Sequence, residues 1–155
     1  MKKESVDREK KTFERGRNYL IYLLSVRDYT TKEIESKLRK AEYSDEIIEE
    51  VIRYGIKKHY LDDARYAEDY IRIKKDTRSI RQLKYQLSMK GIPDVILDEI
   101  EEQDDKEELM RKIYKYREKK TGTDYERDAK TYQYFVRKGY NSGIIKELLR
   151  NISHK

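Results

Sequence analysis

Cysteine is missing from this chain altogether. That removes disulfides and thiolate metal sites from consideration. Only two histidines occur, His59 and His154, far apart in the chain, so an imidazole metal site or a nucleophile–base pair lacks its parts. No Walker pattern appears, Gly16-Arg17-Asn18 makes no phosphate loop, and the ligand spacing of a calcium loop is absent. No constellation of side chains could run acid–base chemistry, so the chain is read as a non-enzyme with no cofactor and no metal. No apolar run approaches ~20 residues, and the basic N-terminus lacks the apolar segment of a signal peptide. The expectation is a soluble, cytoplasmic, monomeric protein with no membrane contact. Tryptophan is absent too, and there is a single proline, Pro93, among 155 residues with six glycines.

What is present is charge. Charged residues make up 44% and hydrophobic residues 36%, which is lean for one compact globule of this length. Such a composition borders on disorder. The scarcity of proline and glycine and the strict periodicity of the apolar residues oppose that reading. An array of thin helical units, most of whose side chains stay wet, needs less apolar material. The net charge of +6 is distributed unevenly. Residues 1–17 carry +3 and residues 102–155 carry +4, whereas residues 18–57 net −1 and residues 58–101 net zero. Basic ends with a slightly acidic first segment suit a molecule that meets both nucleic acid and protein.

The chain also resembles itself. Residues 30–52, moved 49 positions, fall on residues 79–100: Ile34 lands on Leu83, Leu38 on Leu87, Tyr43 on Ile92, Ile47 on Ile96, Ile48 on Leu97 and Val51 on Ile100. A further shift of 48 gives a weaker copy, in which Leu87 lands on Phe135, Ile92 on Tyr140, Ile96 on Ile144, Leu97 on Ile145 and Ile100 on Leu148. A period near 48 implies stacked supersecondary units, each too small to bury a core alone. Each unit reads as three helices. The first carries Tyr19, Leu20, Leu23 and Leu24; then Tyr66, Tyr70 and Ile71; then Leu109, Ile113 and Tyr116.

Start and stop signals agree. Thr30 with Glu33, and Ser79 with Gln82, are capping boxes opening the second helices. Third helices start near Ser44, Pro93 and Asn141, and Gly91 and Gly139 are the left-handed stops before the last two. Asp62 caps the first helix of unit two, flanked by Leu61 and Tyr66 as a hydrophobic staple, and Asp105 with Glu108 opens unit three. The second helix of unit three shows no clear capping box, and Lys119 to Asp124, with Gly122, reads as a loop. The expected fold is all-α: three tandem three-helix-bundle repeats in an elongated, curved array. Residues 1–17 form a basic N-terminal arm, frayed or helical, followed by repeats at 18–57, 58–103 and 104–155.

These segments resemble the RecX family. YLDDARYAEDYI, a basic stretch and QLKYQLSMKGIPDVILDEI are similar to its central repeat, RKGYNSGIIKELL to its last helix pair, and LLSVRDYTTKEIESKL to its first unit. The match covers roughly residues 17–152, the third repeat only in its final helices. The resemblance implies a non-catalytic regulator that binds the RecA recombinase, lodges in the groove of its filament on single-stranded DNA, inhibits ATP hydrolysis and strand exchange, and promotes disassembly. Such an activity belongs to control of homologous recombination, DNA repair and the SOS response. Longer relatives carry segments this chain lacks.

Two basic stretches are the candidate RecA- or DNA-binding residues. One holds Lys74, Lys75, Arg78, Arg81, Lys84 and Lys90, the other Arg111, Lys112, Lys115, Arg117, Lys119 and Lys120. Phosphate backbones reward such clusters through counterion release, and Arg78, Arg81 and Lys84, spaced by three, share a helical face. The bland alternative is a solvated surface. Fifteen tyrosines, among them Tyr85, Tyr114 and Tyr116 beside cations, offer rings for base stacking. Packing into a helix seam is the preferred reading for any one ring. The acids Asp45, Glu46, Glu49 and Glu50, and Asp98 to Asp105, read as helix-start and surface charge. The alternative function is a nucleic-acid-binding helical protein acting without RecA, since three-helix units resemble helix-turn-helix modules.

Overall fold

The computed structural model describes residues 11–153. The first ten residues of the expected arm, and His154, lie outside them. Every regular element among the described residues is helical: α1 Phe13–Val26, α2 Thr31–Lys40, α3 Asp45–Lys57, α4 Asp63–Lys74, α5 Ile80–Met89, α6 Asp94–Leu97, α7 Lys106–Glu118, α8 Asp124–Arg137 and α9 Ser142–Ser153. The expected all-helical repeat is therefore present. Helix α1 begins before residue 18, at Phe13, because Thr12 caps it by accepting from the Arg15 N–H.

The described residues form two compact units: residues 11–69 with 87–99, and residues 70–86 with 100–153. The first buries Leu20, Leu23, Ile34, Leu38, Tyr43, Ile48, Val51 and Leu61. The second buries Leu109, Ile113, Phe135, Tyr140, Ile145, Leu148 and Leu149. The repeat positions behave alike: Leu38, Leu87 and Phe135 are buried, as are Tyr43, Ile92 and Tyr140, and Ile48, Leu97 and Ile145.

Glu42, Gly91 and Gly139 occupy one repeat position, and all three have positive φ, at 67°, 89° and 96°. After each, an amide reaches back five residues, Tyr43 to Leu38, Ile92 to Leu87 and Tyr140 to Phe135. This is the Schellman closure of a helix end. Glycine stands at the second and third turns for a further reason. In the first unit, the turn at Gly91 receives the start of α2: a Cβ there would run into the Lys32 side chain, and the buried Thr30 hydroxyl donates to the Lys90 carbonyl at 2.6 Å. In the second unit, the turn at Gly139 receives the start of α5: a Cβ would lie 2.5 Å from Ser79 Oγ, and the Ser79 N–H donates to the Lys138 carbonyl at 3.1 Å. Each helix start also spends its first-turn amide on a carboxylate, Thr31 on Asp63 at 2.9 Å and Ile80 on Asp104 at 3.2 Å.

Two sequence expectations need correction. The capping box at Thr30 and Glu33 is complete, but that at Ser79 is half formed. The Ser79 N–H is taken by Lys138, and Gln82 turns to Arg78 instead. The third helix of the second repeat is one turn, with Pro93 at the cap rather than in the first turn and no side-chain cap. The acids Asp98, Glu99, Glu101 and Glu102 follow it, opposing the partial negative charge at a helix C-terminus. Helix α8 forms no capping box but has a capping residue, Thr123, which accepts from the Glu126 N–H while its hydroxyl donates to the Glu126 carboxylate.

Arg117, read from sequence as a binding cation, is 6% exposed. Its Nε donates to Asp128 at 2.7 Å and its Nη2 to Asp124 at 3.3 Å, tying α7 to α8. The hydrogen bond to Asp128 raises its pKa further above the ordinary arginine value. It is a structural cation because desolvating a guanidinium without these acids is prohibitive. Arg127 extends the network to Glu118 and Asp124.

Gly91→Ala and Gly139→Ala should each destabilise the protein by roughly 2 kcal/mol or more, combining left-handed strain with overpacking. Glu42→Gly should be neutral or gain up to about 1 kcal/mol, since glycine adopts the positive φ of that residue without strain. Urea midpoints of the full chain measure all three, and an unshifted midpoint for Gly91→Ala would refute the packing account. Arg117→Ala should cost about 1–3 kcal/mol, below the full buried-pair figure because Asp124 is exposed. Arg117→Lys should recover little of it, as an ammonium cannot span both carboxylates. Full stability in Arg117→Lys by thermal unfolding would contradict the two-carboxylate tie.

Candidate nucleic-acid and protein interface

The second unit holds an open groove of about 510 Å³. One wall is α7 with its C-cap residue, which present Glu108, Arg111, Lys115 and Lys119 at spacings of three and four, with Lys112 beside them. Asp76 and Thr77 edge it, and Lys138 comes from the end of α8. Five cations thus face two acids.

The floor is aromatic. Tyr116 stacks on Tyr134 with ring centres 4.1 Å apart, and Phe135 meets both edge-on. Lys138 lies over the Tyr134 ring and Lys120 over Tyr116, at 5.5 and 4.5 Å. Rings beneath ammonium groups hold the cations in place without neutralising them. At the base, the Tyr140 hydroxyl is buried with no hydrogen-bond partner. Burial, then the nearby Asp104 and Glu108, pushes its pKa far up, so it stays neutral. Asp104 is also raised, chiefly by burial, with the Ile80 amide pulling the other way.

The twelve cations expected from sequence do not gather in one place. Arg111, Lys112, Lys115 and Lys119 line the groove. Lys112 is partly committed, donating to the Lys75 carbonyl at 2.8 Å. Lys74 lies over Tyr70 at 4.9 Å. Arg78, Arg81 and Lys84 are drawn to polar and acidic neighbours: Arg78 to Gln82 at 3.1 Å, Lys84 to Glu102 at 3.4 Å, and Arg81 into a cleft with Glu102 and Asp104. Lys90 belongs to the first unit, and Arg117 is interior. Sequence reading missed Lys138, although it precedes Gly139 as Lys90 precedes Gly91. Among the tyrosines, Tyr116 packs into the seam as preferred, whereas Tyr85 and Tyr114 are 65% and 54% exposed.

No group of three or more metal-binding side chains occurs among the described residues. No helix among them is long and apolar enough to cross a membrane.

Comparison with known proteins gives a consistent picture. The RecX first three-helix domain matches residues 17–54, and the RecX third three-helix domain matches residues 102–149. The latter match extends well beyond the final helices. The regulatory protein RecX of Prosthecochloris aestuarii is 30% identical over 135 residues, covering 85% of this chain and 89% of that protein. That of Clostridium beijerinckii is 25% identical over 151 residues, covering 93% and 71%. The crystal structure of RecX from Lactobacillus salivarius superposes with a TM-score of 0.79 at 26% identity, covering 92% of this chain and 97% of that one. With two of its three-helix domains matched in order and one relative spanned almost end to end, the chain belongs to the RecX family of regulatory proteins.

Proposed function

We propose that this protein binds the RecA filament on single-stranded DNA and, acting as a cytoplasmic monomer without catalysis of its own, inhibits RecA ATP hydrolysis, strand exchange and filament growth. Homologous recombination, DNA repair and the SOS response are the processes it would control. The observation that carries this is the groove of the second unit, where Arg111, Lys115, Lys119 and Lys138 converge over an aromatic floor in a chain of regulatory kinship. Cations in a row favour a polyphosphate by releasing its counterions, and lodging among packed recombinase subunits adds protein contact to that attraction. Such a ligand works by mass action: it shifts the filament toward whichever state it binds better, in proportion to its differential affinity.

The direct test is RecA ATP hydrolysis on single-stranded DNA with increasing amounts of the protein. Hydrolysis should fall at near-stoichiometric concentrations. The triple variant Arg111→Glu, Lys115→Glu, Lys119→Glu should require on the order of tenfold more protein, about 1.4 kcal/mol of binding, with an unchanged unfolding midpoint. Undiminished hydrolysis at several-fold excess of the unmodified protein would refute the proposal.

A further inference from the structure

The first unit has the lower net charge, yet its cations are not evenly spread. A concave surface of about 280 Å³ is lined by Arg27, Tyr29, Lys32, Glu33, Ser36, Lys37, Lys40, Met89 and Lys90. It joins five cations with one acid. That acid is already engaged: Glu33 accepts from the Thr30 N–H at 2.9 Å to close the capping box, and its other oxygen lies 3.6 Å from Arg27. The acids of α3 that make the segment slightly negative, Asp45, Glu46, Glu49 and Glu50, do not line this surface.

The arrangement is built rather than accidental. The stem of Lys32 is held beside Gly91 by the same packing that seats α2 on the turn. Arg27 lies 3.8 Å over the Tyr29 ring, with the Lys37 ammonium 5.8 Å from its centre. Lys32, Ser36 and Lys40 follow one another at intervals of four along α2, a rise of about 6 Å per step. The backbones of Lys32 and Lys40 are thus about 12 Å apart along the helix axis, and with Lys37 on the same surface they string positive charge along α2. A linear array matches a repeating polyanion better than an isolated phosphate. An acidic protein segment would need apolar anchors seated in pockets. Here the apolar features are one thioether, Met89, 72% exposed, and one ring covered by a guanidinium.

We propose that this face of the first unit is a second phosphate-binding surface, which takes the phosphodiester backbone of a nucleic-acid strand independently of any recombinase. It is distinct from the groove of the second unit and shares none of its residues. Being sequence-independent, it would position a strand without reading its bases.

The experiment is binding of the full chain to a fluorescently labelled oligothymidylate, without RecA, by anisotropy across a salt series. Lys32→Gln, Lys37→Gln, Lys40→Gln in one chain should weaken binding at least tenfold at low salt. It should also flatten the slope of log affinity against log salt by about two, at roughly 0.7 for each phosphate that is no longer neutralised. Lys37→Arg, Lys40→Arg should bind as the parent does, which separates lost charge from lost folding. An unchanged slope in the glutamine variant would overturn the proposal, as would an unmodified chain that fails to bind the oligonucleotide. Polyglutamate competing as well as oligothymidylate at equal charge would overturn the nucleic-acid assignment in favour of acidic protein. RecA is absent throughout, so these outcomes leave inhibition of RecA to its own test.

Discussion

A buried hydroxyl at the start of one helix, set against a left-handed turn of the following repeat, is the contact on which each unit depends. A helix start has free amides that must find acceptors. Here, for Thr30 and Ser79, they find them in the residue's own hydroxyl, in a carboxylate from the next repeat and, at Ser79, in a turn carbonyl. Thr30 instead uses its hydroxyl proton to reach the turn. The two joints thus solve the same problem with different atoms. Both require the incoming turn to lack a Cβ, which is why glycine appears at 91 and 139. At 42 the same backbone conformation is carried by glutamate, at the cost of left-handed strain. The third repeat departs from this pattern. Its equivalent of Ser79 is Arg127, which lies inside a helix and caps no helix start. Helix α8 instead begins several residues earlier, at Thr123.

This joint also organises charge. Lys90 and Lys138, the residues preceding the two glycines, offer their carbonyls to the joint and their side chains to a basic surface on each unit. Packing geometry and electrostatics are thereby linked through one backbone position per repeat. The residues that hold the turn in place also bring a cation beside the cations of α2 in one unit and of α7 in the other.

How far the sequence disclosed all this can be judged residue by residue. The apolar repeat was legible because burial demands the same side-chain character at the same helical phase, and Ile34, Leu38 and Ile48 have their counterparts for that reason. The gap in the third copy is Thr131, which stands where Ile34 and Leu83 do. It is buried only because its hydroxyl donates to the Arg127 carbonyl at 2.7 Å. A polar residue satisfied by its own helix carries no hydrophobic signal. The cations were legible as a list but not as a surface. Arg117 and Arg111 look alike in sequence, and what separates them is Asp128, eleven residues on, which claims one and not the other. Likewise the acids of α3 cancel the charge of the first segment on paper while lying away from the face where Lys32, Lys37 and Lys40 gather. A sum over a segment is blind to which side of a helix its terms occupy.

Charge of this kind sets strength and register more than choice of partner. Phosphate contacts are insensitive to base identity and weaken steeply with salt, so two basic surfaces alone would hold the protein to any nucleic acid. On the proposed function, discrimination in favour of a recombinase-coated strand would have to come from contacts that naked DNA cannot make. The exposed rings of Tyr85 and Tyr114 suit that task, because aromatic groups at an interface gain most when a partner protein desolvates them. On the proposed function, such a regulator would need no chemistry. Its selectivity would be the difference between two binding free energies, one dominated by cations and common to all strands, the other supplied by a few uncharged side chains and available only on the filament.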